Sequence, residues 1–108
     1  MKMYGLGTCD TCRKAEKALR DKGLALTKVD VRSDGVKEAE LRRFFEAFGQ
    51  KLINTRSTTW RGLTETERAG EPIALLKAHP TLMKRPVIDD NGALYLGWDK
   101  AVQAALLG

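Results

Sequence analysis

The sequence predicts an α/β fold built on a four-stranded mixed sheet with helices packed on its faces. Three observations carry that expectation. The apolar periodicity runs β–α–β, then through a helical middle, then β–β–α. A β–α–β start needs a parallel strand pair joined by a right-handed crossover, whereas Asp90-Asn91-Gly92 between two apolar runs signals a tight hairpin and an antiparallel pair. Finally, 108 residues with 43% hydrophobic content match one domain able to bury a real core.

Each element has its own signal. Met3-Tyr4-Gly5-Leu6 is a short apolar strand, and Gly7-Thr8 turns the chain. Arg13 to Leu19 is rich in helix formers, with an apolar face at Ala15, Ala18 and Leu19, and Lys22-Gly23 stops it. Leu24 to Val31 alternates loosely with β-branched residues and predicts the second strand. After the Ser33-Asp34-Gly35 turn, Leu41, Phe44, Phe45 and Phe48 recur at helical spacing over 36–48, closed by Gly49. Asn54 to Gly62 is polar and irregular, Thr64-Glu65-Thr66-Glu67 looks like a helix start, and Ile73 to Ala78 is a short helix stopped before Pro80. Val87-Ile88 and Ala93 to Leu96 flank the hairpin turn, and Asp99 is the expected N-cap of a last helix over 100–107.

The composition narrows the function classes. A formal charge of +5, from 19 Lys+Arg against 14 Asp+Glu, suits an anionic small substrate, an acidic protein partner or simply a solubilising surface. No basic block interleaved with aromatics points to direct nucleic-acid binding. The N-terminus enters a strand pattern rather than a signal peptide, and no apolar run approaches membrane-spanning length, so a cytoplasmic protein without a membrane partner is expected. No oligomer signature is visible, and a monomer is the expectation. No bound cofactor is implied. A zinc site needs more ligands than Cys9, Cys12 and the single His79 supply.

The chemistry centres on Cys9-Asp10-Thr11-Cys12, the chain's two cysteines, set between the first strand and the first helix. There the unpaired N–H groups and positive dipole of a helix N-terminus favour thiolate, the nucleophilic form. Cys9 should lie at the N-cap and Cys12 one turn in, on the same face and within disulfide reach. Cys9 would then attack, and Cys12 would resolve a mixed disulfide or close a regulatory one. The Thr8 and Thr11 hydroxyls and nearby backbone N–H groups can bond to the sulfur, while Asp10 opposes its charge unless it points to solvent. A C-x-x-C after strand one of a β–α–β start is the thioredoxin-like (glutaredoxin-like) arrangement.

Over nearly its whole length the chain resembles the arsenate reductase family of thioredoxin-like proteins, which also holds the Spx-type regulators. The likeness rests on residues 4–15 (YGLGTCDTCRKA), residues 52–61 (LINTRSTTWR) and Met83-Lys84-Arg85-Pro86-Val87. The Asn54 to Arg61 stretch is most similar to the YffB-type branch. The resemblance implies one domain over 1–108, with a thioredoxin-like core at about 1–36 and 80–108 and a helical insert at about 37–79. It further implies a catalytic Cys9, a cis-proline at Pro86 beside the active site, and glutathione or glutaredoxin as thiol partner. Arg56 and Arg85 match the family's anion-binding arginines, and the planar guanidinium fork grips an oxyanion or a glutathione carboxylate.

Two departures shape the expected function. Arsenate-reducing members resemble this chain at Arg56 and Arg85 but carry a third arginine after the hairpin strand, where Tyr95-Leu96-Gly97-Trp98-Asp99 has none. Their glutaredoxin-dependent forms also lack a second cysteine, whereas Cys12 is present as in the Spx-type motif. The expectation is a glutathione-dependent thiol–disulfide or oxyanion reductase with Cys9 as nucleophile and Arg56, Arg85, Thr8 and Pro86 around the substrate. The alternatives are an Spx-type redox-sensing regulator that binds the RNA polymerase alpha subunit, and a dedicated arsenate reductase. Arg13 and Arg61 read as either anion contacts or solvated surface charges, Trp60 and Trp98 read first as packing, His79 as a loop or helix-end residue, and Gly97 as a place where a backbone N–H or small surface could meet a ligand.

Overall fold

From its N-terminus the chain runs through β1 (Lys2–Gly5), α1 (Asp10–Asp21), β2 (Thr27–Asp30) and α2 (Glu38–Phe48). The single helical turns α3 (Thr58–Arg61) and α4 (Glu65–Arg68) follow, then α5 (Pro72–Ala78), β3 (Val87–Asp90), β4 (Ala93–Leu96) and α6 (Lys100–Leu107). The computed structural model describes all 108 residues, which form two compact units: Met1–Asp34 with Arg85–Gly108, and Gly35–Lys84. No helix is long and apolar enough to cross a membrane.

The first unit holds the whole sheet, in the order β2-β1-β3-β4. β1 pairs parallel with β2 and antiparallel with β3, and β3 pairs antiparallel with β4, which is the mixed sheet the element order requires. Alternation along the central strands divides the faces. Met3 and Ile88, register partners, join Cys12, Ala15, Leu19 and Val102 in a cluster beneath α1 and α6. Their neighbours Tyr4 and Val87, also register partners, are buried on the opposite face. The β3–β4 loop is two residues long, with Asn91 at φ 52° and Gly92 at φ 97°, the backbone of a type I′ turn.

α1 buries Cys12, Ala15 and Leu19, a stripe of helical spacing. It ends where Gly23 takes φ 86° and the Leu24 N–H reaches back to the Leu19 carbonyl at 3.1 Å. This ending shortens the second strand from the expected 24–31 to Thr27–Asp30, because Leu24 and Leu26 turn against the core cluster instead. The helix also begins at Asp10, earlier than its apolar face suggests, since Cys9 already caps it.

In the second unit α2 buries Leu41 and Phe44, and α5 buries Ile73, Leu75 and Leu76. Segments 52–54 and 82–84 run antiparallel beside each other, joined by the Ile53–Met83 bridge, Asn54 N–H to Leu82 O at 2.8 Å and Lys84 N–H to Leu52 O at 2.7 Å. The stretch read as irregular contains α3, which begins because the Ser57 hydroxyl accepts the Trp60 N–H at 3.1 Å. α4 opens on the expected signal: Thr64 and Glu67 form a reciprocal capping box.

Candidate functional site

Cys9 is the N-cap of α1, with φ −85° and ψ 119°. Its N–H donates to the Leu6 carbonyl at 3.1 Å and its carbonyl accepts the Arg13 N–H at 3.0 Å, so β1 and the helix jointly fix the backbone beneath the sulfur. Cys9 is half-buried and Cys12, one turn into the helix, is only 2% exposed. Both are free thiols.

The two sulfurs are driven in opposite directions. Burial alone would raise the Cys9 pKa. Hydrogen bonds from the Cys12 backbone N–H, the Cys12 thiol and the Arg85 guanidinium, with the positive charge of Arg85, outweigh that and hold Cys9 below its ordinary value. Burial pushes the Cys12 thiol up to about 11. A hydrogen bond from the Leu6 N–H and the Arg85 charge act against the rise, while the Cys9 sulfur adds to it through both hydrogen bonding and charge. Cys12 therefore holds its proton more tightly than Cys9 does, and its thiol donates a hydrogen bond to the Cys9 sulfur.

Of the residues singled out in the sequence, Cys9, Cys12 and Arg85 come together in the first unit. The Arg85–Pro86 peptide bond is cis, as the resemblance implies, and Pro86 is fully buried. Thr8 and Thr11 are exposed, and the strongest influences that lower the Cys9 pKa are the backbone N–H and thiol of Cys12 and the Arg85 guanidinium. Asp10 is exposed and ion-paired with Arg13, which accounts for both. Arg56 belongs to the second unit, exposed, with its N–H held by Asn54 Oδ1 at 3.1 Å.

Trp60 is half-buried beneath the Arg68 guanidinium, 5.4 Å from the ring centroid, a packing role. The Gly97 N–H is not presented to a ligand: it donates to the Pro86 carbonyl at 2.8 Å and ties the end of the hairpin to the cis-proline corner. The residue missed by sequence reasoning is Leu6, whose contribution to Cys12 is a backbone N–H and so leaves no mark in side-chain patterns.

Residues 4–106 match the ArsC family. An uncharacterized protein of Haemophilus influenzae is 38% identical over 109 residues, covering 95% of this chain and 96% of that one. The global transcriptional regulator Spx 2 of Bacillus anthracis is 28% identical over 103 residues, covering 90% of this chain and 79% of the regulator. Among solved structures, the YFFB protein superposes with a TM-score of 0.91 at 32% identity, covering 99% and 98% of the two chains. An arsenate reductase (ArsC) related protein from Brucella melitensis gives 0.75 at 34% identity, covering 95% and 91%.

Proposed function

The chain belongs to the ArsC family, with a thioredoxin-like fold similar to that of YFFB, and from that premise we propose that it is a glutathione-dependent thiol–disulfide reductase with Cys9 as nucleophile. The observation that carries this reading is the asymmetry of the cysteine pair. Cys9 is half-buried and lowered by Cys12 and Arg85, while Cys12 is buried and raised to about 11. A low-pKa, accessible thiol beside a cation is the microenvironment of a reactive cysteine.

In the proposed cycle the Cys9 thiolate attacks the glutathione sulfur of a mixed disulfide R–S–S–G. The Cys9–glutathione disulfide forms, the S–S bond between the R-bearing sulfur and the glutathione sulfur breaks, and RS⁻ leaves to take a proton from solvent. A second glutathione thiolate then attacks the glutathione sulfur on Cys9, releasing oxidised glutathione and regenerating the Cys9 thiolate. The sum is RSSG plus GSH giving RSH plus GSSG. Cys12 offers a second exit by attacking the Cys9 sulfur, but its burial disfavours the thiolate that this attack needs. Its main part in this reading is as hydrogen-bond donor to Cys9. Arg85 stabilises the thiolate, and Arg56 is proposed as a further contact for the glutathione carboxylates on the strength of the resemblance. Such a dithiol belongs in the reducing cytoplasm.

The test is a coupled glutathione assay on a mixed-disulfide substrate. Cys9→Ser is expected to abolish turnover and Cys12→Ser to leave part of it; equal, unchanged rates in both variants overturn Cys9 as nucleophile. Arsenate is expected to be the poorer substrate, because the segment after β4 supplies no third arginine and charge stabilisation is a large catalytic contribution.

A second reading is supported by the similarity to Spx 2 over 90% of this chain: a redox-sensing regulator in which Cys9 and Cys12 close a disulfide. Capture of the RNA polymerase alpha subunit that depends on redox state, with no turnover in the disulfide assay, would favour it over the enzyme.

A further inference from the structure

Gly5 ends β1 in a place where a glycine is not required by backbone conformation. It pairs in register with Asp30, its carbonyl accepts the Val31 N–H at 3.0 Å, and its φ lies outside the left-handed region. Glycine weakens a strand unless another group must approach the backbone closely. Here one does: a Cβ on Gly5 would lie 2.6 Å from Cys12 Sγ and 3.3 Å from Cys12 Cβ. The next residue, Leu6, gives its backbone N–H to the same sulfur.

We propose that Gly5 and the Leu6 N–H form a backbone seat for the Cys12 sulfur, and that Gly5 is a positioning residue that keeps the Cys12 thiol aimed at Cys9. The seat fixes the sulfur from below, against β1. The helix alone fixes only Cα and Cβ, leaving the sulfur a choice of rotamers. With the seat intact, the sulfur is within hydrogen-bond reach of Cys9 and withdrawn from solvent. With a methyl group in the seat, the sulfur must leave it. It has room to do so, because an open pocket of about 220 Å³ lies alongside, lined by Met3, Gly5, Leu6, Gly7 and Cys12 among others. Displacement of the sulfur, rather than loss of the strand, is therefore the expected response, and the Cys9 thiolate loses its thiol donor.

The inference rests on the reading of Cys9 as the reactive thiolate, and its test needs no substrate, so a failure to find reductase activity leaves it standing. Thiolate absorbance is titrated in the wild type, Gly5→Ala, Cys12→Ala and the double variant, with urea midpoints for all four. Gly5→Ala is expected to raise the Cys9 midpoint by about half a unit or more when Cys12 is present. In the Cys12→Ala background the same change should leave the midpoint where Cys12→Ala alone puts it, and should cost less stability. An unmoved midpoint in Gly5→Ala, or an equal shift in both backgrounds, overturns the proposal. If Gly5→Ala fails to fold, the double variant decides: folding restored by removing the sulfur supports the seat, and a double variant that also fails to fold overturns it.

Discussion

Two arginine-bearing segments, the Arg85-Pro86 corner and the Asn54–Arg61 turn, stand out equally in the sequence, and the structure holds them differently. At the corner the guanidinium itself is engaged: Arg85 is half-buried and hydrogen-bonds the Cys9 sulfur. In the turn it is the backbone of Arg56 that is fixed, by Asn54 Oδ1, while the side chain stays exposed. The difference matters because a charge acts through its surroundings. A unit pair at 4 Å is worth about 1 kcal/mol in bulk water and about 4 kcal/mol at an effective dielectric of 20. A half-buried cation in contact with a thiol can reset its pKa, whereas an exposed one is screened by water and salt.

The sharpest way to break this comparison is the pH profile of Cys9 alkylation in Arg85→Ala. The guanidinium lowers the Cys9 pKa, so its removal must raise it. For a shift of about one unit, the thiolate fraction at low pH falls about tenfold, and the stronger nucleophile recovers about threefold. The variant should therefore react about threefold more slowly below both pKa values and about threefold faster above them, so the two profiles cross. Arg85→Lys should lie between the two, since an ammonium keeps the charge but loses the fork. Parallel profiles that never cross would mean that Arg85 does not act on the sulfur.

Arg56→Ala sharpens the other side. In the same alkylation assay it should follow the wild-type profile. In the glutathione assay it should raise KM several-fold with kcat nearly unchanged, the pattern of a contact made equally in ground and transition states. The difference between variant and wild type should shrink as salt rises. An alkylation profile displaced as far as that of Arg85→Ala would erase the distinction drawn from burial.

How much of this was legible beforehand follows the same division between side chain and backbone. The sheet was readable because each strand is short and bounded by Gly, Pro or Asn-Gly punctuation, and Asn91-Gly92 fixes the hairpin type outright. Cys9 as N-cap was readable from its place between strand and helix. Leu24 and Leu26 misled because apolar residues between a helix and a strand look like strand, whereas they pack on the core as loop. α3 was hidden because a single turn held by the Ser57 cap buries no residue and leaves no apolar period. The donors that divide labour between the cysteines include the N–H groups of Cys12 and Leu6, and the seat for Cys12 is an absent Cβ at Gly5. Backbone donors have no residue signature, and a strand glycine does not say which group approaches it.

The smallest expected effect tests burial from the opposite direction. Asp10 follows Cys9 directly in sequence, and a carboxylate so placed should disfavour the thiolate if proximity along the chain were what counted. It is instead exposed and ion-paired with Arg13, and the leading influences on the Cys9 sulfur are burial, Cys12 and Arg85. Its charge is compensated locally and screened by water. At pH below the Cys9 pKa, Asp10→Asn should accelerate Cys9 alkylation by less than about twofold at low salt, with the difference vanishing as salt rises. The direction is fixed because the substitution removes a negative charge and frees the positive charge of Arg13. A change as large as that of Arg85→Ala, persisting in high salt, would mean that exposed charge near the helix N-terminus governs Cys9 as strongly as the half-buried guanidinium does.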